Sequence, residues 1–176
     1  MALPNEKFEE IKSKIQNFID NEMVVHEDDF NINHKFADHL PFLEEKRNKV
    51  REMGLFAPQI SKEYGGLGLS LHQLGQIYEI LGKTFYGLYV FNCQAPDAGN
   101  MEILIEHGTD YQKETFLKPL VEGKVRSCFS MTEPEFAGSN PVIMGTTAVK
   151  DGSNYVINGH KSVSYTHLTL PTRLPV

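Results

Sequence analysis

The feature that most constrains this chain is a change of hydrophobic period near Arg126. Before it, apolar residues recur three and four positions apart, the spacing that lines one face of an α-helix; after it they alternate with polar residues around a tight turn, as in a β-hairpin. Phe8, Ile11, Ile15, Phe18 and Ile19 define a first helical face over 5–22, with Asn5 as its cap, and an acidic connection runs through 26–34. Leu43, Val50 and Met53 mark a second helix that stops at Gly54. Pro58 and the glycines of Tyr64-Gly65-Gly66-Leu67-Gly68 cannot continue a helix, so 55–68 is an irregular connector. Helical spacing resumes at Leu71, Leu74, Ile77, Tyr78 and Leu81 behind Ser70, a good N-cap. The apolar run 88–96 is not decided by period, and 100–107 reads as a helix closed by Gly108. Thr109 opens a last helix whose buried face is Phe116, Leu117, Leu120 and Val121 and which ends at Gly123.

After Arg126, Cys128-Phe129-Ser130-Met131 has a strand-like pattern, and 146–159 reads as a hairpin turning through Asp151-Gly152-Ser153-Asn154. The expected fold is therefore α+β: an all-α amino-terminal helical bundle, 1–125, followed by the opening of an antiparallel β-domain, 126–161. Phe18, Leu43, Leu74, Ile77, Leu81, Ile103, Leu117 and Leu120 are expected in the bundle core.

Composition narrows the partners. A net charge of -6 without a basic stripe argues against nucleic acid and against an anionic membrane surface, both of which select basic patches. No apolar run approaches the roughly 20 residues that span a bilayer, so a soluble protein without membrane insertion is expected. The two cysteines, Cys93 and Cys128, lack C-x-x-C spacing, and no signal-peptide pattern is present. These features point to a reduced intracellular compartment, cytoplasmic by default, with mitochondrial and peroxisomal locations left open. The seven histidines stand at none of the spacings that recur in metal sites, so no metal is expected.

Chemistry concentrates in 127–140. Ser130 and Thr132 carry hydroxyls that donate and accept, and Gly138 lets backbone N–H groups come close to an anion. A flavin, with its flat apolar ring, polar edge and anionic pyrophosphate, requires an apolar wall, such donors and a tight turn. The chain has no G-x-G-x-x-G and no Walker loop, so a nucleotide cofactor would bind by another mode. The plainer reading of Thr132-Glu133-Pro134 is that it ends a strand and does no more.

The run Phe129-Ser130-Met131-Thr132-Glu133-Pro134, followed by Gly138-Ser139 and then by Asn158-Gly159-His160-Lys161, resembles the flavin-contacting core of the acyl-CoA dehydrogenases. The connector with Pro58 and Tyr64-Gly65-Gly66-Leu67-Gly68 resembles the loop between two helices of that family's amino-terminal bundle. The sequence departs from the family pattern where Glu135, Phe136 and Ala137 precede Gly138-Ser139, and where Asn140 replaces the usual Asp. The resemblance covers nearly the whole chain up to Lys161.

It implies FAD as cofactor, with Phe129, Ser130, Met131, Thr132, Gly138 and Ser139 as cofactor-binding residues. Phe129 to Thr132 would line the flavin edge, and Ser139 would lie where the pyrophosphate and the thioester arm meet, which makes it substrate-binding as well. The implied reaction is α,β-dehydrogenation of an acyl-CoA thioester to a trans-2-enoyl-CoA, with electrons passing to an electron-transfer flavoprotein. The family's catalytic base comes from its carboxy-terminal domain, so no carboxylate here is assigned that role, and Glu133 reads as a structural residue of the turn. A homo-oligomer, dimer or tetramer, is implied for the full-length protein.

Acyl-CoA oxidases and flavin monooxygenases of the same fold are alternatives, although 91–102 resembles a dehydrogenase branch acting on long or 4-hydroxylated acyl chains. A reading from another class, a non-catalytic helical interaction module, rests only on the run of amphipathic helices. Beyond Lys161 the family pattern stops: 162–176, with Pro171 and Pro175, is expected to be an artefactual or disordered tail on a truncated chain. Such a fragment is expected to be inactive and to hold FAD weakly or not at all.

Overall fold

A computed structural model describes residues 3–30, 35–136 and 140–162. The chain divides into two compact units, Met1–Ser127 and Cys128–Val176.

The first unit is helical. Helix α1 (Asn5–Phe18) runs on through a π turn, Ile19–Met23, and a 3-10 turn, Val24–Asp29. Pro4 takes the cap position and Asn5 lies inside the helix, so Asn5 does not cap it; the fixed φ of proline already presets the entry into the first turn. Helix α2 (Phe36–Glu52) follows, then the irregular connector with a single 3-10 turn at Lys62–Tyr64, then α3 (Leu71–Leu81). Ser70 accepts from the Gln73 amide while the Gln73 side chain accepts from the Ser70 amide, a reciprocal cap that fixes the start of α3. The same Gln73 carboxamide exchanges hydrogen bonds of 3.2 and 2.8 Å with the Leu3 backbone and so ties the chain start to α3.

The undecided run 88–96 splits: α4 (Gly87–Val90) is one turn long, and Asn92 then takes a left-handed φ of 57°. Helix α5 (Asp97–His107) comes next, and α6 (Asp110–Gln112), a π turn at Lys113–Leu117 and α7 (Lys118–Val121) form one interrupted helix.

One apolar cluster joins α1, α2, α3 and α4 through residues such as Ile15, Ile19, Leu43, Ile77, Leu81 and Phe91. A second joins the connector to α5 and α7 through Ala57, Ile60, Met101, Leu117 and Leu120. Each such side chain, fully buried, contributes about 1.5–3 kcal/mol. Six of the expected core residues are buried, Leu74 is half-buried, and Ile103 is 51% exposed. The reason lies in the helix start. Helix α5 begins at Asp97, and its buried positions, Asp97 and Met101, are one turn apart, which turns Ile103 toward solvent.

In the second unit, β1 (Thr147–Asp151) and β2 (Asn154–Asn158) pair antiparallel with Val149 opposite Val156. Gly152, at φ 60°, supplies the left-handed residue that the two-residue turn requires. The strand expected at 128–131 joins no ladder among the described residues, because β1 and β2 pair only with each other. The stretch is held at its end by Ser162, whose amide donates to the Thr132 carbonyl at 2.9 Å. Of the expected tail, 162–176, Ser162 is described and 163–176 lie outside the described residues.

Candidate functional site

The Thr-Glu-Pro turn is built around a buried carboxylate. Glu133 is 6% exposed and accepts from the amides of Gly145 and Thr146 at 2.5 and 2.9 Å, from the Thr146 hydroxyl, and from Lys161 Nζ at 2.9 Å. The Thr146 hydroxyl and Lys161, followed by the two backbone amides, outweigh desolvation and hold the Glu133 carboxyl at a pKa of about 2. Lys161 also donates to the Met131 carbonyl at 3.1 Å. One ammonium therefore touches both the stretch before the turn and the carboxylate within it. A Cβ on Gly145 would overlap the Phe136 ring, and one on Gly159 would overlap the Thr146 side chain, so both glycines permit the close approach.

Four of the predicted site residues, Phe129 to Thr132, run up to this knot. Phe129 and Ser130 are exposed, and Met131 and Thr132 are half-buried. The Thr132 hydroxyl donates to the Ser162 carbonyl. Among the described residues, the Ser130 hydroxyl and the amides of 129–132 meet no partner, which leaves a strip of donors flanked by the Phe129 ring and the Met131 side chain. Such a set suits the polar edge and apolar face of a flavin. Gly138 and Ser139 lie outside the described residues. Asn140, in the place of the usual Asp, accepts from the Val142 amide at 3.1 Å and shapes its own turn. Sequence reasoning placed Lys161 within the motif that carries the resemblance but gave it no partner, and it gave Thr146 no role. The available signal was a lysine directly after the hairpin and a threonine directly before it, both able to reach a carboxylate.

The helical unit holds two further polar constellations that periodicity does not reveal. Arg47, 1% exposed, donates to the Tyr89 carbonyl at 2.5 Å and lies 3.4 Å from both Asn92 Oδ1 and the Gly123 carbonyl. Its guanidinium stacks near Tyr89 and Phe56, with Cζ 4.6 and 4.9 Å from the ring centres. Burial draws its pKa down. Asn92 in turn donates to the Leu120 and Val121 carbonyls at 3.1 and 3.0 Å and caps α7.

Asp97 is fully buried and accepts from the Ser127 amide and hydroxyl at 2.7 and 2.6 Å and from Arg126 Nε at 2.6 Å. Burial raises its pKa, but the Ser127 and Arg126 hydrogen bonds outweigh that and leave it below the ordinary range. Burial pushes the Cys93 thiol up, which makes it a packing group rather than a nucleophile. Among the described residues no three His, Cys, Asp or Glu side chains converge on a possible metal position, and no helix is long and apolar enough to cross a membrane.

A helical bundle followed by a small antiparallel hairpin unit that opens on a Thr-Glu-Pro turn defines an acyl-CoA dehydrogenase-like arrangement. The family model described as "Acyl-CoA dehydrogenase, N-terminal domain" matches residues 5–124. The chain belongs to the acyl-CoA dehydrogenase family. It is 42% identical over 127 residues to mouse acyl-CoA dehydrogenase family member 10, a match that covers 69% of this chain and 12% of the relative. It is 45% identical over 124 residues to chicken acyl-CoA dehydrogenase family member 11, covering 69% of this chain and 15% of the relative. Among solved structures, a Mycobacterium abscessus protein assigned to the acyl-CoA dehydrogenases superposes with a TM-score of 0.76 at 36% identity, over 90% of this chain and 42% of that one. The chain thus spans less than half the length of each, and about an eighth to a seventh of the two curated relatives.

Proposed function

We propose that this chain forms the cofactor-facing amino-terminal part of an FAD-dependent acyl-CoA dehydrogenase, which oxidises an acyl-CoA thioester to a trans-2-enoyl-CoA and delivers the electrons to an electron-transfer flavoprotein. The observation that carries the reading is the strip 129–132, whose Ser130 hydroxyl and amides meet no partner among the described residues and have apolar flanks, set directly before the buried Glu133 knot. FAD, when bound, supplies the acceptor for the hydride that leaves the β-carbon.

Phe129 and Met131 offer an apolar flank to the ring, while Ser130 and the strip's amides offer donors to its polar edge. The Thr132 hydroxyl gives its hydrogen to Ser162, so its oxygen remains as an acceptor for the cofactor. Gly138 and Ser139 are proposed to form the turn for the pyrophosphate and thioester arm. Glu133 is not proposed as the base: a carboxylate with a pKa of about 2, held by four donors, is a weak proton acceptor at neutral pH. No other carboxylate of this chain is assigned to the α-proton. The buried thiol Cys93 fits an intracellular setting, and a homo-oligomer belongs to the same reading.

The purified protein tests the proposal by its visible spectrum and by enoyl-CoA formation with an electron-transfer flavoprotein or an artificial acceptor. A flavin spectrum and acceptor-dependent turnover are expected. A folded protein that stays colourless after incubation with FAD would overturn the reading, and peroxide formation in place of acceptor reduction would move it to the oxidases.

A further inference from the structure

We propose that Lys161 is the positioning residue of the 129–132 strip, an inference that rests on the proposed flavin site. The geometry that points to it is a convergence of two stretches of chain, 131–133 and Met144, on one ammonium group. Lys161 Nζ donates to the Met131 carbonyl at 3.1 Å and to Glu133 Oε1 at 2.9 Å, and it lies 3.5 Å from the Met144 sulfur. The carboxylate it meets gathers the amides of Gly145 and Thr146, the residues that lead into β1. Lys161 itself follows β2, and its neighbour Ser162 pairs with Thr132 in both directions, amide to carbonyl and hydroxyl to carbonyl. The residues on either side of the hairpin are thereby fastened to the end of the strip.

The chemistry makes this fastening depend on charge. The Glu133 side chain is 2% exposed, and Lys161 is the cation that faces it. Removing the cation leaves a buried carboxylate with backbone and hydroxyl donors alone, and a group so placed seeks water by opening the turn around it. Opening moves the Met131 carbonyl and the amides beside it, which are the atoms proposed to meet the flavin edge. Lys161 touches none of the reacting atoms; it acts through Met131 and Glu133. A geometry fixed in this way is paid for in the apoprotein, before cofactor arrives.

The test compares the wild type with Lys161→Met, Lys161→Arg, Glu133→Gln and the double variant Lys161→Met/Glu133→Gln. In the apoprotein, amide hydrogen exchange is read at Gly145, Thr146 and Ser162. With FAD added, affinity and the visible circular dichroism of the bound flavin at saturation are read. Lys161→Met should speed exchange at all three amides and weaken FAD binding by about tenfold, the scale of one lost charge-assisted hydrogen bond. It should also change the flavin dichroism, which a uniform loss of stability leaves alone once the site is saturated. Lys161→Arg should recover part of both effects, and the double variant should be less impaired than the two single effects combined, because no unpaired charge remains.

Unchanged exchange in Lys161→Met overturns the fastening. Faster exchange with wild-type FAD affinity and dichroism overturns the positioning role and leaves the flavin site standing. A wild-type protein that folds and binds no FAD overturns the flavin reading and this proposal with it, whereas the exchange data still show whether the knot depends on charge.

Discussion

Replacing Asn92 by Ala should destabilise the helical unit by about 3–5 kcal/mol. The figure is built from three losses at one buried residue, which is 1% exposed. The Val121 carbonyl, at the end of α7, meets only the Asn92 carboxamide among the described residues, and leaving a buried acceptor unmatched costs about 1–3 kcal/mol. The Leu120 carbonyl keeps a second donor, the Gly123 amide at 3.0 Å, so losing Asn92 there costs nearer 1 kcal/mol. Asn92 also holds φ at 57°, where an alanine pays about 1 kcal/mol that asparagine largely avoids. Asn92→Gly separates the parts: it loses the same side-chain hydrogen bonds, the long 3.4 Å one from Arg47 included, but tolerates the backbone, so it should be the milder change by about 1 kcal/mol. Urea unfolding followed by far-ultraviolet circular dichroism measures both, with unchanged slopes confirming that the comparison is of stability. Equal losses for Ala and Gly would remove the backbone contribution. Losses under about 1 kcal/mol for both would refute the cap itself.

Thr132→Val removes the hydroxyl that donates to Ser162 at nearly constant volume and should weaken FAD binding by about tenfold; unchanged affinity in a fluorescence titration removes Thr132 from the site. The depressed Glu133 pKa makes its contribution to the hairpin unit complete above the ordinary value of 4.5 and lost as the pH falls toward about 2. Amide exchange at Gly145 and Thr146 should therefore depart from its intrinsic pH dependence toward faster exchange across that window, and an unaltered profile would contradict the knot. Asp97→Ala should cost about 2–4 kcal/mol of helical-unit stability, discounted for the half-exposed Arg126, and urea unfolding checks it. Asp97→Asn, which keeps an acceptor for Ser127, should cost less.

The helices were legible where apolar spacing and caps coincide. Ser70 with Ile77 and Leu81, and Thr109 with Leu117 and Leu120, announce both a start and a buried face within one or two turns. The hairpin was equally plain, since Asp151-Gly152 calls for a left-handed residue that only the turn supplies. What escaped is polar and distant. Arg47, Asn92 and Asp97 interrupt the apolar pattern, and although Glu44 and Gln94 lie three positions from Arg47 and Asp97, the partners that join separate elements stand 28 to 76 positions away, outside any local window. Ile103 was misplaced because the helix start set by Asp97 shifts the buried face by a residue or two. The strand expected at 128–131 has the composition of a strand, but a ladder needs a neighbour, and the neighbour is not a property of the segment. At the candidate site, Thr132-Glu133-Pro134 was visible as a motif, whereas the closure of Lys161 onto it is set by the hairpin between them.

The burial of Arg47 also has a consequence for synthesis. Its acceptors lie 42, 45 and 76 residues further along, the last being the Gly123 carbonyl. A ribosome delivers α2 long before it delivers that carbonyl. A bundle that closed around α2 early would enclose a guanidinium paired with Glu44, 3.2 Å away on the same helix, but short of its carbonyl acceptors, at a cost of about 1–3 kcal/mol. Closure of the bundle around α2 is therefore expected to await the final helix, and pulse-labelled amide exchange during refolding should show α2 and 118–123 gaining protection together.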